Sequence, residues 1–282
     1  MQKLLFRLII GGLFALFGLF SYYGNTVENP VTGEKQRVQL TPRQEVVLGV
    51  QAREQMAQQH GGLYPDQTLQ DYVDAVGDRI IQTSDAGDSE YPFEFHLLRD
   101  GRTINAFALP GGQVFLTAAL MSRLTTEAQL AGVLGHEIAH VVARHGAERI
   151  AKQQLGAALV NAVGVAASDG YGSGRNAAAV AQAVNQLVSL DYGRDDELES
   201  DRLGFQFMVQ AGYDPNGILG LMEVLNSTRQ GGEPPEFFST HPNPGNRLAR
   251  LQGMINETFP GGVPAELEDG AQRFAQVVEP RL

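Results

Sequence analysis

Two histidines four residues apart dominate this chain, in the stretch His136-Glu137-Ile138-Ala139-His140. The run 127–145 carries a helical pattern that ends at Gly146, and residues four apart on a helix share a face. The two imidazoles can therefore close on one metal ion. Glu137 sits about 100° round the helix from His136, within reach of water at that metal. Neutral imidazoles suit zinc, and a carboxylate beside an activated water is a ready general base. A catalytic zinc takes three protein ligands and keeps its fourth position for water. Another donor must come from elsewhere in the sequence.

The candidates are His145, His241 and a carboxylate. His145 lies nine residues after His136, half a turn out of phase on a continuous helix, and is expected to support packing. The acidic run 191–201 opens a helix with core positions Leu203, Phe205, Met208 and Val209, closed by Gly212. Glu197 and Asp201 are four apart there, so one can bind the metal while the other accepts a hydrogen bond from a ligating imidazole. Glu199 is about 200° round from Glu197 and points elsewhere. A helix dipole favours such an acidic start on its own account, without any metal. His241 lies in the proline-stiffened loop 233–244, where it can cap a helix, fill the loop or face the metal.

Residues 1–25 constrain location. Lys3 and Arg7 precede an uncharged run over 8–23, and Tyr22 and Tyr23 resemble interfacial aromatics. The run reads as a membrane anchor or a signal sequence. The anchor is preferred, because residues 19–23 offer a poor cleavage site. The positive-inside rule then leaves the N-terminus cytoplasmic and the rest outside. A secreted periplasmic form after signal cleavage is the alternative. A net charge of −11 argues against a nucleic-acid partner, and the absence of cysteine removes any disulfide or thiolate site and suits an oxidising compartment.

The remaining pattern is α+β, mainly α. Residues 26–40 read as a linker, and 41–282 as one catalytic domain. Thr41-Pro42-Arg43-Gln44 is a helix start with its capping box. A second helix follows Pro65, with Leu69, Tyr72, Val73, Val76, Ile80 and Ile81 on its apolar face. Alternation over 93–97, 104–109 and 113–117 predicts a small antiparallel sheet over the histidine-bearing helix. His96, in the first strand, is expected to be structural. Residues 153–190, rich in Ala and Gly, read as a close-packed helical hairpin with a flexible tip, and a last helix falls near 271–278.

Taken in order, these motifs resemble the gluzincin signature of two histidines, then a glutamate followed four later by aspartate. More narrowly, the chain is similar to the family holding the CAAX prenyl endopeptidases, the HtpX-type proteases and periplasmic quality-control proteases of outer-membrane assembly. Residues 105–112, Val141-Val142-Ala143-Arg144-His145, and Ser239-Thr240-His241-Pro242 with Arg247 carry the same likeness. Ser200 departs from it, since the family usually has Ala there. The resemblance implies a helical metallopeptidase domain with one Zn2+ per chain. It implies zinc ligands at His136, His140 and Glu197, a general base at Glu137 and an orienting carboxylate at Asp201. It places Asn105, Ala106, Phe107 and Ala108 on a substrate-aligning edge strand, and His241 and Arg247 in a loop beside the zinc.

The expected activity is zinc-dependent endopeptidase hydrolysis in cell-envelope quality control, on polypeptide substrates that are misfolded or unassembled. Its alternative is a latent, chaperone-like binding or assembly factor on the same fold. His241 has two possible roles, as an oxyanion donor or as a plug in the metal's open position.

Overall fold

In chain order, α1 (Gln2–Gly24), a hairpin of β1 (Thr26–Glu28) and β2 (Lys35–Arg37), α2 (Pro42–Gln59) and α3 (Gln67–Thr83) lead to three strands. These are β3 (Glu94–Leu98), β4 (Ala106–Leu109) and β5 (Gln113–Thr117). A short α4 (Ala118–Met121) joins them to α5 (Glu127–Val142) and α6 (His145–Ala167). Then come α7 (Arg194–Gln210), α8 (Asn216–Thr228), α9 (Phe237–Thr240), α10 (Arg247–Thr258) and α11 (Ala271–Val277). The computed structural model describes residues 2–167, 192–228, 235–242 and 245–282. The tip and second arm expected within 153–190, parts of the loop 233–244 and Asp191 lie outside the described residues.

Side-chain caps set the helix starts. Thr41 Oγ1 accepts from Gln44 N at 3.3 Å while Gln44 Oε1 accepts from Thr41 N at 2.9 Å. Thr126 and Gln129 form the same reciprocal box at the head of α5. Asp66 caps α3 through Leu69 N. On α3, Leu69, Val73, Val76 and Ile80 are buried against the core, as their spacing requires, with Tyr72 and Ile81 partly covered. The fold is α+β and mainly helical, as expected.

The sheet differs from expectation in one pairing. Its order is β3-β5-β4, with β4 antiparallel to β5 but β3 parallel to it. Pro110-Gly111-Gly112, with φ of 86° and 102° at the glycines, turns β4 directly into β5. The residues between β3 and β4 instead carry the chain past β5, which forces the parallel ladder. Gly62, Tyr64 and Gln70 bond to the outer edge of β3. Beyond β4, the Tyr192 hydroxyl lies 3.5 Å from Ala108 O. His96 bonds Gln113 Oε1 at 2.9 Å and packs on Phe115, inside the core.

Nearly every residue of α5 is buried, wrapped by α3, α7, α8 and the sheet. α7 crosses it where two glycines meet. A Cβ on Gly204 would lie 3.0 Å from His136 N and 3.1 Å from Gly135 C. Gly204→Ala is therefore expected to part the helices by a few tenths of an ångström and to cost about 1–3 kcal/mol, as core overpacking does. Chemical denaturation of the metal-free variant measures this, and an unchanged midpoint would show slack at the crossing.

The helix expected over 127–145 stops three residues early. Arg144 takes a left-handed φ of 56°, and α6 starts afresh at His145. This conformation is unusual for a side chain with a Cβ. The guanidinium holds it in place, donating to Glu45 Oε1 from Nε at 3.0 Å and to Leu40 O from Nη2 at 2.7 Å. Tyr91 completes the clasp by donating to the other Glu45 oxygen.

The stretch expected as a linker contains the β1–β2 hairpin, which docks on this break. Asn29 Nδ2 donates to Val142 O at 2.8 Å, and Gln36 Nε2 donates to Ala143 O. α1 lies along α6 with Leu5, Phe6, Leu13, Phe14, Leu16, Phe17 and Phe20 exposed. Arg37 stands 5.0 Å over the Tyr23 ring. Among the described residues no helix is long and apolar enough to cross a membrane, so the expected spanning helix is not met.

Candidate metal centre

α5 and α7 bring three sequence-predicted donors to one point, and the turn after α9 adds a fourth. Nitrogen and oxygen atoms of His136, His140, Glu197 and His241 all lie within 4.8 Å of one another. His136 Nε2 is 3.1 Å from His140 Nε2, 3.5 Å from Glu197 Oε2 and 3.4 Å from His241 Nδ1. Glu197 Oε1 is 3.3 Å from His140 Nε2 and 3.0 Å from His241 Nδ1. Bonds of about 2.0–2.1 Å to a tetrahedral zinc place neighbouring ligand atoms about 3.3 Å apart. Separations near that edge length, between imidazole nitrogens and a carboxylate, make this a donor set that suits zinc.

Local sequence explains the convergence. Gly193 N donates to Asp196 at 2.8 Å at the head of α7, and Asp195, Asp196 and Glu197 occupy its first turn, where the dipole favours anions. The glycine crossing then brings Glu197 and, one turn on, Asp201 against α5. Asp201 Oδ1 is 3.1 Å from His136 Nδ1, the far side of that ring. Arg247 lies between the carboxylates, 2.8 Å from Glu197 Oε2 and 2.6 Å from Asp201 Oδ1, with 2.7 Å from its Nε to Asp201 Oδ2. Arg247, expected in a loop beside the zinc, opens α10 and is buried at 1% exposure, because two buried carboxylates require a counter-charge.

Glu137 is fully buried, and neither of its oxygens has a hydrogen-bond partner among the described residues. Its Oε1 lies 3.4 Å from His241 Nε2. Burial raises the Glu137 carboxyl above its ordinary range, against the opposing charges of His241 and His136. Burial pushes the Glu197 carboxyl up as well, but the charge of His241 and hydrogen bonds from three imidazoles hold it well below. Burial disfavours a charged His136, yet Asp201 and Glu197 outweigh it and carry its value to about 9. Metal and proton therefore compete for that ring.

Asn105 donates to Glu236 Oε1 at 3.4 Å, and Ala106, Phe107 and Ala108 form the β4 edge beside α5. Several contacts escaped sequence reasoning. The Tyr192 ring stacks on His140 at 3.8 Å, and its hydroxyl points at Ala108 O, 3.5 Å away on β4. Phe237 stacks on His241 at 4.4 Å. His145, expected to support packing, lies against His140 and reaches Glu199. An aromatic placed just before an acidic helix start was the one available signal for Tyr192.

A buried HExxH helix, crossed by a second helix that brings a glutamate to the same point, is the arrangement found in gluzincin metallopeptidases. The chain belongs to peptidase family M48, whose family model matches residues 67–255. It is 35% identical over 203 residues to the Beta-barrel assembly-enhancing protease of Escherichia coli (strain K12), covering 70% of this chain and 41% of that one. The protein of the same name from Yersinia pestis is 33% identical over 238 residues, 82% of this chain and 48% of its own. The Mitochondrial metalloendopeptidase OMA1 of Schizosaccharomyces pombe is 32% identical over 257 residues, 89% of this chain and 73% of its own. The chain thus spans less than half the length of these bacterial relatives.

Proposed function

We propose that this chain is a membrane-attached, extracytoplasmic zinc endopeptidase in which His136, His140 and Glu197 hold the metal and Glu137 is the general base. The five donor separations of 3.0–3.5 Å carry this reading. Zinc held there supplies Lewis-acid polarisation of a carbonyl and acidifies water toward neutrality. Glu137 accepts the proton from the attacking water and delivers it to the departing amine nitrogen. Asp201 fixes the ring of His136, and Arg247 keeps Glu197 and Asp201 ionised and aligned. The β4 edge around Asn105–Ala108 pairs with an extended substrate. On this reading Glu197→Ala abolishes zinc binding measured by metal analysis, and a chelator abolishes casein hydrolysis. Zinc retained in Glu197→Ala would remove that ligand.

His241 fits the role of a resting plug, because its Nδ1 lies in the same donor cluster, 3.4 Å from His136 Nε2 and 3.0 Å from Glu197 Oε1. A catalytic zinc needs that position open. His241→Ala is expected to raise basal peptidase activity several-fold. A lower kcat with unchanged zinc content would favour the oxyanion role instead.

Substrates are proposed to be misfolded or unassembled envelope polypeptides, by analogy with the relatives' names. Attachment is proposed through α1, whose apolar side chains are exposed around the helix and need lipid to cover them. A second reading, a latent chaperone-like factor, is favoured by one observation: His136, Glu137, His140, Glu197 and His241 are all at most 2% exposed. Casein hydrolysis by the unaltered chain that a chelator abolishes would exclude it.

A further inference from the structure

The two histidines of α5 are held differently at their far nitrogens. His136 meets the carboxylate of Asp201 directly. His140 Nδ1 lies 2.9 Å from His145 Nδ1, and His145 Nε2 lies 3.1 Å from Glu199 Oε2. His145 is almost wholly buried, and Ser200 Oγ stands 3.3 Å from its Nδ1. The protons follow from these contacts. To present Nε2 to a metal, a neutral His140 carries its proton on Nδ1 and donates it to His145 Nδ1. His145, accepting there, carries its own proton on Nε2 and donates to Glu199.

We propose that His145 and Glu199 are positioning residues for zinc, linking His140 to a carboxylate through a second imidazole as Asp201 does for His136 without one. The break at Arg144 makes this possible. On a continuous helix His145 would face away from His140, whereas the left-handed residue turns it back toward α7. Outer partners of this kind fix a ligand's tautomer and ring orientation and raise its basicity. The inference rests on the ligand set proposed above.

The test uses the full chain, with zinc affinity measured by competition with a chromogenic chelator and visible absorption bands recorded on the cobalt-substituted protein. Wild-type binding that His136→Ala abolishes establishes the ligand set independently. Against that baseline, Glu199→Gln, which keeps the size and removes the charge, is expected to weaken zinc about 10-fold. His145→Phe is expected to weaken it by about 10–100-fold. Both should shift the cobalt bands. His145→Gln, whose amide can accept from His140 and donate to Glu199, should recover part of the loss. Metal-free melting temperatures separate this from packing, and Glu199, partly exposed, tolerates exchange. Native affinity and native cobalt bands in both Glu199→Gln and His145→Phe overturn the proposal. So does an affinity loss that follows metal-free stability and is not rescued by His145→Gln.

Discussion

Glu137→Gln is expected to lose about 10²–10⁴-fold in kcat, the range of a general base, while binding zinc as tightly as the wild type. The carboxylate is not among the four clustered donors, so its loss leaves the metal's ligands intact. Glutamine has the same volume and fills the same buried pocket. It can neither take a proton from water nor pass one on. Stability should move the other way. A buried carboxylate with no hydrogen-bond partner is an unfavourable group to fold around, and an amide is less so. The metal-free variant should therefore melt above the wild type, as happens when a site is held at the expense of stability. Zinc analysis, a peptide assay and a melting curve check all three points. Retained turnover in the zinc-loaded variant would sink the mechanism.

Arg247→Met should destabilise the metal-free protein by about 3–5 kcal/mol, the usual result of removing one partner from a buried ion pair. Its guanidinium touches both Glu197 and Asp201, and all three side chains are at most 3% exposed. Methionine fills much of the space but leaves two carboxylates facing each other without a cation. Burial raises the Asp201 carboxyl, and it stays below its ordinary range because Arg247 and His136 outweigh that effect. Asp201→Asn made together with Arg247→Met should recover part of the loss, because one uncompensated charge is then gone. Zinc should restore stability to the single variant more than to the wild type. Denaturation with and without metal measures each step. A loss under about 1 kcal/mol would show that the carboxylates find other partners.

The site was legible in the sequence to the extent that its residues sit on regular helices. His136 and His140 at i and i+4, and Glu197 and Asp201 at the same spacing, share faces by geometry alone. The cap at Thr41 gave away its helix start for the same reason. What stayed hidden depends on contacts between distant segments. Arg144 carries a Cβ and gives no local sign of a left-handed turn; Glu45, a hundred residues earlier, holds it there. Once the helix breaks, phase arguments about His145 fail. Glu199 does point away from Glu197, as its position on α7 requires, yet His145 comes round to meet it. The parallel pairing of β3 with β5 depends on the path of the chain between β3 and β4, which no strand pattern encodes. Tyr192 precedes its helix, outside any periodicity.

The aromatic cover over the centre has a consequence for measured affinity. Tyr192 lies on His140 and reaches the β4 carbonyl of Ala108, while Phe237 backs His241. On the proposed reading, a peptide pairs with β4 and reaches Glu137 only in molecules where these groups have moved. Its apparent dissociation constant is then the intrinsic one divided by the fraction of molecules in that form. With about 1% of molecules open, a substrate that binds the open cleft at micromolar concentration is cleaved as though it bound about 100-fold more weakly. A ligand that binds only the open form, at any distance from the metal, would multiply turnover at low substrate concentration while leaving every ligand and the general base in place.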